Sequence, residues 1–185
     1  MDDSELRSQL ERHHADSYGW ALACCSQNRE LAEDILQTAY LKILQGCARY
    51  RGEAAFKTWL FAVIRVTAAD ERRRFWRRWF GLNNYGRDLE PAGTETPRDD
   101  ASDETARLDA FRLALERLPQ RQREVIHLIC YQHLSLKEAA GVMGISLGSA
   151  RTHYDRAKTN LRGRLAKLEC FSDYGTDRGQ IQRAL

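Results

Sequence analysis

Residues 134–165, LSLKEAAGVMGISLGSARTHYDRAKTNLRGRL, decide the fold. The stretch opens on a short helical pattern in which Ala139 and Ala140 are small enough for a second helix to cross closely. Gly144 stops that helix, because glycine enters the left-handed region at little steric cost. Ile145 is an apolar plug, and Ser146 is a good N-cap for the next helix. On that next helix Ala150, Tyr154, Ala157, Leu161 and Leu165 recur at steps of three or four and form one apolar face. Arg151, Thr152, Asp155, Arg156 and Thr159 fall on the other face. A sharp Gly-x-Ser turn between two short helices predicts a helix-turn-helix, and such a pair suits a helix laid in the major groove of DNA.

Upstream, Leu108, Phe111, Leu115 and Leu118 predict one helix, and Pro119 opens a second that carries Val125, Ile126, Leu128 and Ile129. Before them lies GLNNYGRDLEPAGTETPRDDASDET, residues 81–105, which is acidic and almost without aliphatic residues. That composition cannot bury enough surface to order itself and predicts a flexible linker. Three helical patterns precede it: Ser4 to Cys25, a stripe of Ala32, Ile35, Leu36, Ala39 and Ile43 capped by Asn28 and stopped by Gly46, and a long helix from Phe56 into DERRRFWRRWF. No alternating apolar run sits between turn residues, so no strand is predicted. The expected fold is all-α: two small helical modules, residues 1–80 and 106–170, joined by the linker 81–105 and followed by a tail, 171–185.

The chain has 185 residues and 43% hydrophobic content, which suits a folded protein. No apolar run approaches a membrane span and the N-terminus is polar, so neither a signal peptide nor membrane insertion is expected, and the cytoplasm is the expected location. The net charge of +3 is unevenly spread: residues 81–105 hold seven acidic and two basic groups, residues 106–170 twelve basic and six acidic. A basic module beside an acidic segment points to a polyanion partner for part of the chain. The five cysteines lack C-x-x-C spacing. His127 and His133 flank Cys130 but fall on an amphipathic helix, so no metal or other cofactor is expected. Cys47 lies close to Arg49 and Arg51, which invites a reactive-thiol reading; a small residue at a helix end is the simpler one.

Enzymatic signatures are missing from the sequence: there is no phosphate-binding glycine loop, no H-E-x-x-H and no nucleophile elbow. The run from Arg72 to Phe80 interleaves arginines with Phe75, Trp76, Trp79 and Phe80. Arginines neutralise phosphates, while Trp76, Trp79 and Phe80 are for the most part expected to pack inward at helical spacing.

Across nearly its whole length, about residues 5 to 168, the chain resembles the extracytoplasmic-function (ECF) group of bacterial RNA polymerase sigma factors. AEDILQTAYLKIL resembles the helix that docks on the polymerase clamp, YRGEAAFKTWLFAVIRVTAADERRR the promoter-melting segment, and LERLPQRQREVIHL with the helix-turn-helix the −35-reading domain. The resemblance implies that Asp34 and Gln37 contact the clamp and that Arg49, Tyr50, Arg51, Gly52 and Glu53 form a loop taking an unpaired −10 base. It places Arg151, Thr152, Asp155 and Arg156 against the −35 element; Arg73 in the basic stripe is read separately, from its charge, as a phosphate contact. The implied partners are core RNA polymerase, promoter DNA and an anti-sigma factor, expected to be membrane-anchored. Chemistry supports these roles separately: an arginine early on a recognition helix can grip guanine through two hydrogen bonds, and a tyrosine between arginines offers a ring and phosphate partners. Three positions depart from the family pattern. Val66 stands for a common Asn, Thr38 for an acidic residue, and Asp155 faces DNA, where it either accepts from cytosine or orients Arg151 through a salt bridge. The alternatives are a one-component helix-turn-helix regulator that binds duplex DNA as a dimer, and an enzyme acting on nucleic acid.

Overall fold

The computed structural model describes residues 2–82 and 103–166, with side chains over 2–77 and 110–166. Within those limits the chain is all helical: α1 (Asp3–Arg12), α2 (His14–Cys24), α3 (Arg29–Leu44), α4 (Phe56–Leu82), α5 (Asp103–Glu116), α6 (Gln120–Ile126), a π-helical turn (His127–Tyr131), α7 (Leu136–Met143) and α8 (Leu147–Leu165). Most of the expected linker, the tail from residue 171, Cys170 and the side chains of Trp79 and Phe80 lie outside the described residues. α4 runs to Leu82 and α5 begins at Asp103, so both helices reach into the stretch 81–105.

Local rules account for most helix ends. Asn28 Oδ1 accepts from the Leu31 amide at 2.9 Å and starts α3. The expected stripe of Ala32, Ile35, Leu36, Ala39 and Ile43 is fully buried. Gly144 stops α7 at φ 61°, ψ 40°, where a Cβ would be strained. Ser146 Oγ then accepts from the Ser149 amide at 3.1 Å to start α8.

The N-terminal pattern departs from the single helix predicted between Ser4 and Cys25. The chain breaks at His13, with φ −99° and ψ 9°, and Asp2 rather than Ser4 caps the first piece. Neither Gly nor Pro marks the break. The tertiary contact there is His13 stacked 6.0 Å from Phe56. Pro119 sits at the N-cap of α6 rather than at its first helical position.

The helix-turn-helix has a small core of its own, in which Ala114, Leu118 and Ile126 of α5 and α6 meet Ala157 and Leu161 of α8. The larger core does not stop at the module boundary. Trp20, Leu60, Phe61 and Ile64 from the first module pack in one cluster with Val125, Leu128, Ala139, Val142 and Met143 from the second. Full burial of an aliphatic or Phe side chain is worth roughly 1.5–3 kcal/mol against exposure. The Trp20 indole donates to the Phe61 carbonyl at 2.9 Å and so ties α2 to α4. α7 lies along α4.

A polar seam runs beside this shared core. Arg65 Nε donates to Glu124 Oε2 at 3.0 Å, and the Glu124 side chain is only 2% exposed. Gln120 donates to Glu124 Oε1 at 2.9 Å and to the Cys24 carbonyl at 3.3 Å, while accepting from Arg72 at 2.7 Å. Arg123 reaches Ser26 Oγ at 2.9 Å, and Lys57 reaches the Gln132 carbonyl at 3.5 Å.

His127 is wedged between Trp20 and Tyr131, with ring centroids 5.5 and 5.4 Å away. Burial pushes its pKa down to about 4; Asp16 opposes that fall and Lys57 adds to it. The folded chain therefore keeps the ring neutral where an unfolded histidine already takes a proton, below about pH 6.5. The stability tied to the neutral ring is complete above that pH and is lost as pH falls towards 4. Between those limits the wild type is expected to lose about 3 kcal/mol more than His127→Phe in urea unfolding. Parallel pH profiles for the two proteins would contradict this.

Candidate nucleic-acid and partner interfaces

α3 turns its buried stripe inward and leaves Asp34 and Gln37 exposed on the opposite side, with Thr38 half-buried between them. The same arc carries Leu31, Leu41 and Leu44, which are 41%, 49% and 46% exposed. Residues 31, 34, 37, 41 and 44 follow helical spacing and form one ridge. Apolar side chains at exposed positions around a carboxylate and an amide suit a protein partner rather than solvent. The leucines escaped the sequence reading, although their place off the core stripe was the available signal.

The loop between α3 and α4 turns at Gly46 and Gly52, both at positive φ (74° and 75°). Arg49 and Arg51 are exposed, and Arg49 Nε donates to the Gly46 carbonyl at 3.3 Å. Tyr50 is half-buried, and its hydroxyl donates to the Ala54 carbonyl at 2.6 Å. Its ring lies 5.4 Å from Phe56 and 5.3 Å from Trp59. Tyr50 is thus a held wall of an aromatic cluster, not a freely swinging ring. Beside it opens a niche of about 240 Å³ lined by Arg49, Arg51, Trp59, Thr58 and, from α7, Gly141. A second niche, about 300 Å³, lies between the end of α3 and α4. Val63, Val66 and Ala48 make it largely apolar, with Lys42 and Thr67 at its edge. Val66 is 53% exposed there.

The basic stripe is partly neutralised from within. Arg73 pairs with Asp70 and Arg74 with Glu71, each at 2.8 Å. Arg72 is held by Gln120 across the seam. Trp76 does not pack inward as expected: it is 39% exposed and meets the 58% exposed Phe75 edge to face.

On α8 the predicted division is present. Ala150, Ala157 and Leu161 are buried, while Arg151, Thr152, Asp155 and Arg156 are exposed. Thr152 Oγ1 donates to the Gly148 carbonyl at 3.0 Å. Asp155 does not orient Arg151: it pairs with Lys158 at 3.2 Å. Lys158 also sits 4.4 Å above the Tyr154 ring, so this pair joins the exposed polar face to the apolar one. Ahead of α8, Ser135 and Glu138 form a reciprocal capping box for α7. The spacing Ser135-x-x-Glu138 was the signal for it in the sequence. The hydrogen bonds from Ser135 hold the Glu138 carboxyl below its usual pKa.

These surfaces define an all-helical protein of the DNA-binding helix-turn-helix class with a separate exposed apolar ridge on α3. Residues 10–78 match Sigma-70 region 2, and residues 108–161 match Sigma-70, region 4. The RNA polymerase sigma factor CarQ of Myxococcus xanthus is 30% identical over 160 residues, spanning 86% of this chain and 89% of that protein. The ECF RNA polymerase sigma factor SigF of Caulobacter vibrioides is 31% identical over 138 residues, spanning 74% and 72%. The sigma factor RpoE of Bartonella quintana, solved in complex with the anti-sigma factor NepR, shares the fold with a TM-score of 0.70 at 23% identity, covering 88% of this chain and 98% of that one. The chain belongs to the ECF group of RNA polymerase sigma factors, in the sigma-70 family. Membership decides against the dimeric one-component regulator.

Among the described residues no group of three His, Cys, Asp or Glu is placed to hold a metal, and no helix is long and apolar enough to cross a membrane. Cys24 and Cys25 are buried, Cys47 is exposed, and Cys130 is intermediate. Burial raises the thiol pKa of Cys24 well above normal and that of Cys25 to about 12. Alkylation of the folded protein at pH 8, read by peptide mass spectrometry, is expected to label Cys47 fast and to spare Cys24 and Cys25 until denaturant is added. Fast labelling of Cys25 would contradict the buried placement.

Proposed function

We propose that this sigma factor divides its work among three surfaces: the α3 ridge docks on core RNA polymerase, the loop 49–53 takes an unpaired −10 base, and α8 reads the −35 duplex. It works without enzymatic chemistry, in the cytoplasm, in modules bounded near residues 80 and 106. The observation that carries the reading is the α8 face, where Arg151, Thr152, Asp155 and Arg156 all reach solvent above a sealed apolar side. Arg156 and Arg151 supply bidentate donors for guanine. Asp155, already paired with Lys158, carries less net repulsion towards phosphate. The niche beside Tyr50 has an aromatic wall and a cationic rim, a combination that accepts an unstacked base.

An anti-sigma factor completes the proposal. The similar Bartonella factor was solved with one, and the exposed leucines of α3 offer it the same ridge that polymerase needs. We place that partner at the membrane; a short neighbouring reading frame with one membrane helix is the observation that tests this.

Asp34→Arg with Gln37→Ala is expected to weaken core polymerase binding by about tenfold or more while circular dichroism stays native, since both side chains are exposed. Unchanged affinity would remove the ridge from the polymerase interface. In holoenzyme binding to single-base promoter variants, Arg156→Ala is expected to lose roughly 1–3 kcal/mol of discrimination at one −35 base pair. Arg73→Ala is expected to weaken all sequences alike and to lower the salt slope. Reversal of those two patterns would reassign the residues.

A further inference from the structure

Two niches flank the loop between α3 and α4, and their walls differ in kind. Ala62 of α4 lines both. On one side Arg49, Arg51 and Glu53 give the niche beside Tyr50 a charged rim. On the other, Cys47, Ala48, Val63 and Val66 wall a niche of about 300 Å³, and among the described residues no carboxylate lines it. That volume stands at the lower end of small-molecule sites, about 300–1,000 Å³. Its polar groups are Lys42 and Thr67. Lys42 Nζ donates to Thr67 Oγ1 at 3.3 Å and lies 4.0 Å from Asp70 Oδ2. Two neighbours thus tether an ammonium that has three hydrogens to give. Val66, one turn along α4 from Ala62, is 53% exposed here.

We propose that the niche at Val66 is a thymine subsite: it takes a thymine of the melted promoter strand and recognises it by the 5-methyl group. This inference rests on the reading above that the loop holds unpaired −10 DNA, and it adds a second base to that reading. Continuity argues for the occupant. Cys47 and Ala48 line one niche and Arg49 to Arg51 the other, with no residue between them. A strand with a base beside Tyr50 therefore passes the mouth of the second niche. Lys42 on one edge, and Arg49 bonded to the Gly46 carbonyl on the other, supply cations for its phosphates. Chemistry then selects the base. Adenine, cytosine and guanine each carry an exocyclic amino group, whose hydrogens would meet apolar wall unpaired, and that desolvation is costly. Thymine carries none. Its carbonyl oxygens accept from the Lys42 ammonium while its methyl packs on Val63 and Val66. An amide at position 66 would undo the selection, because its carbonyl would accept from the amino bases.

The test uses core polymerase holoenzymes of the wild type, Val66→Asn and Tyr50→Ala. The probe is a pool of pre-opened DNA duplexes, randomised over the non-template strand of the bubble, and sequencing of the retained DNA reads base preference position by position. The wild type is expected to enrich thymine at a position that Val66→Asn flattens and Tyr50→Ala leaves sharp. Deoxyuridine in place of that thymine is expected to lower wild-type retention about fourfold, and 5-methylcytosine in place of cytosine there to raise it by a similar factor, since each pair differs by the methyl alone. Val66→Asn is expected to bring both ratios to about one. Cys47, on the niche wall, is expected to alkylate more slowly on the thymine template than on one with an abasic nucleotide at that position, read by peptide mass spectrometry. Equal retention of thymine and deoxyuridine by the wild type overturns methyl recognition. A Val66→Asn chain that keeps the wild-type base preference but binds core polymerase weakly gives the niche to a protein partner and overturns the subsite. If Tyr50→Ala flattens a position and Val66→Asn flattens none, this inference fails and the role of the loop stands. If the wild type shows no preference at any bubble position, the role of the loop fails with it.

Discussion

The arrangement of the described chain depends on one buried ion pair and the core beside it. Arg65 and Glu124 come from opposite modules, 59 residues apart, and meet at 3.0 Å with the carboxylate almost sealed from water. Around them Gln120 makes two contacts that bind α6 to α2 and α4 and a third that holds Glu124 within α6. Beside the network, α7 lies on α4 through the shared core, where Ala139, Val142 and Met143 meet Leu60, Phe61 and Ile64. The pair fixes the relative position of two modules that the apolar contacts alone would specify loosely, since hydrophobic burial is non-directional.

The helices and the reading face were legible in the sequence, because both rest on short-range rules. The 3.6-residue stripes of α3 and α8, the left-handed Gly144 and the caps at Asn28 and Ser146 are properties of neighbours in the chain. The seam was not legible. Arg65, Gln120 and Glu124 read as ordinary solvated polar residues on helix surfaces, and nothing within ten residues of each marks it as buried. The break at His13 failed for the same reason, since its ring partner Phe56 is 43 residues away. Trp76 failed in the other direction: helical spacing placed it inward, yet it is 39% exposed.

The site divides along the same line. Arg151, Thr152, Asp155 and Arg156 stand on the face that periodicity assigned them, because α8 is straight and its apolar side is unambiguous. The hold on Tyr50 was not legible, since no spacing rule reveals that it is fixed by Ala54, Phe56 and Trp59. A pre-positioned ring loses less entropy on meeting a base than a mobile one would. Asp155 was expected to meet cytosine or Arg151, and its pairing with Lys158 is a matter of rotamers that the sequence does not settle.

The π-helical turn at His127–Tyr131 has a consequence for how this module could vary among related chains. A π turn is an α-helix holding one surplus residue, and each helical residue advances the chain by about 100° and 1.5 Å. The turn lies between α6, which carries Glu124, and α7, which packs on α4. Loss or gain of a single codon between 127 and 131 would therefore rotate α7 by about 100° against α6 and set its α4 contact against the α5–α6–α8 core, so that both could not be kept in register.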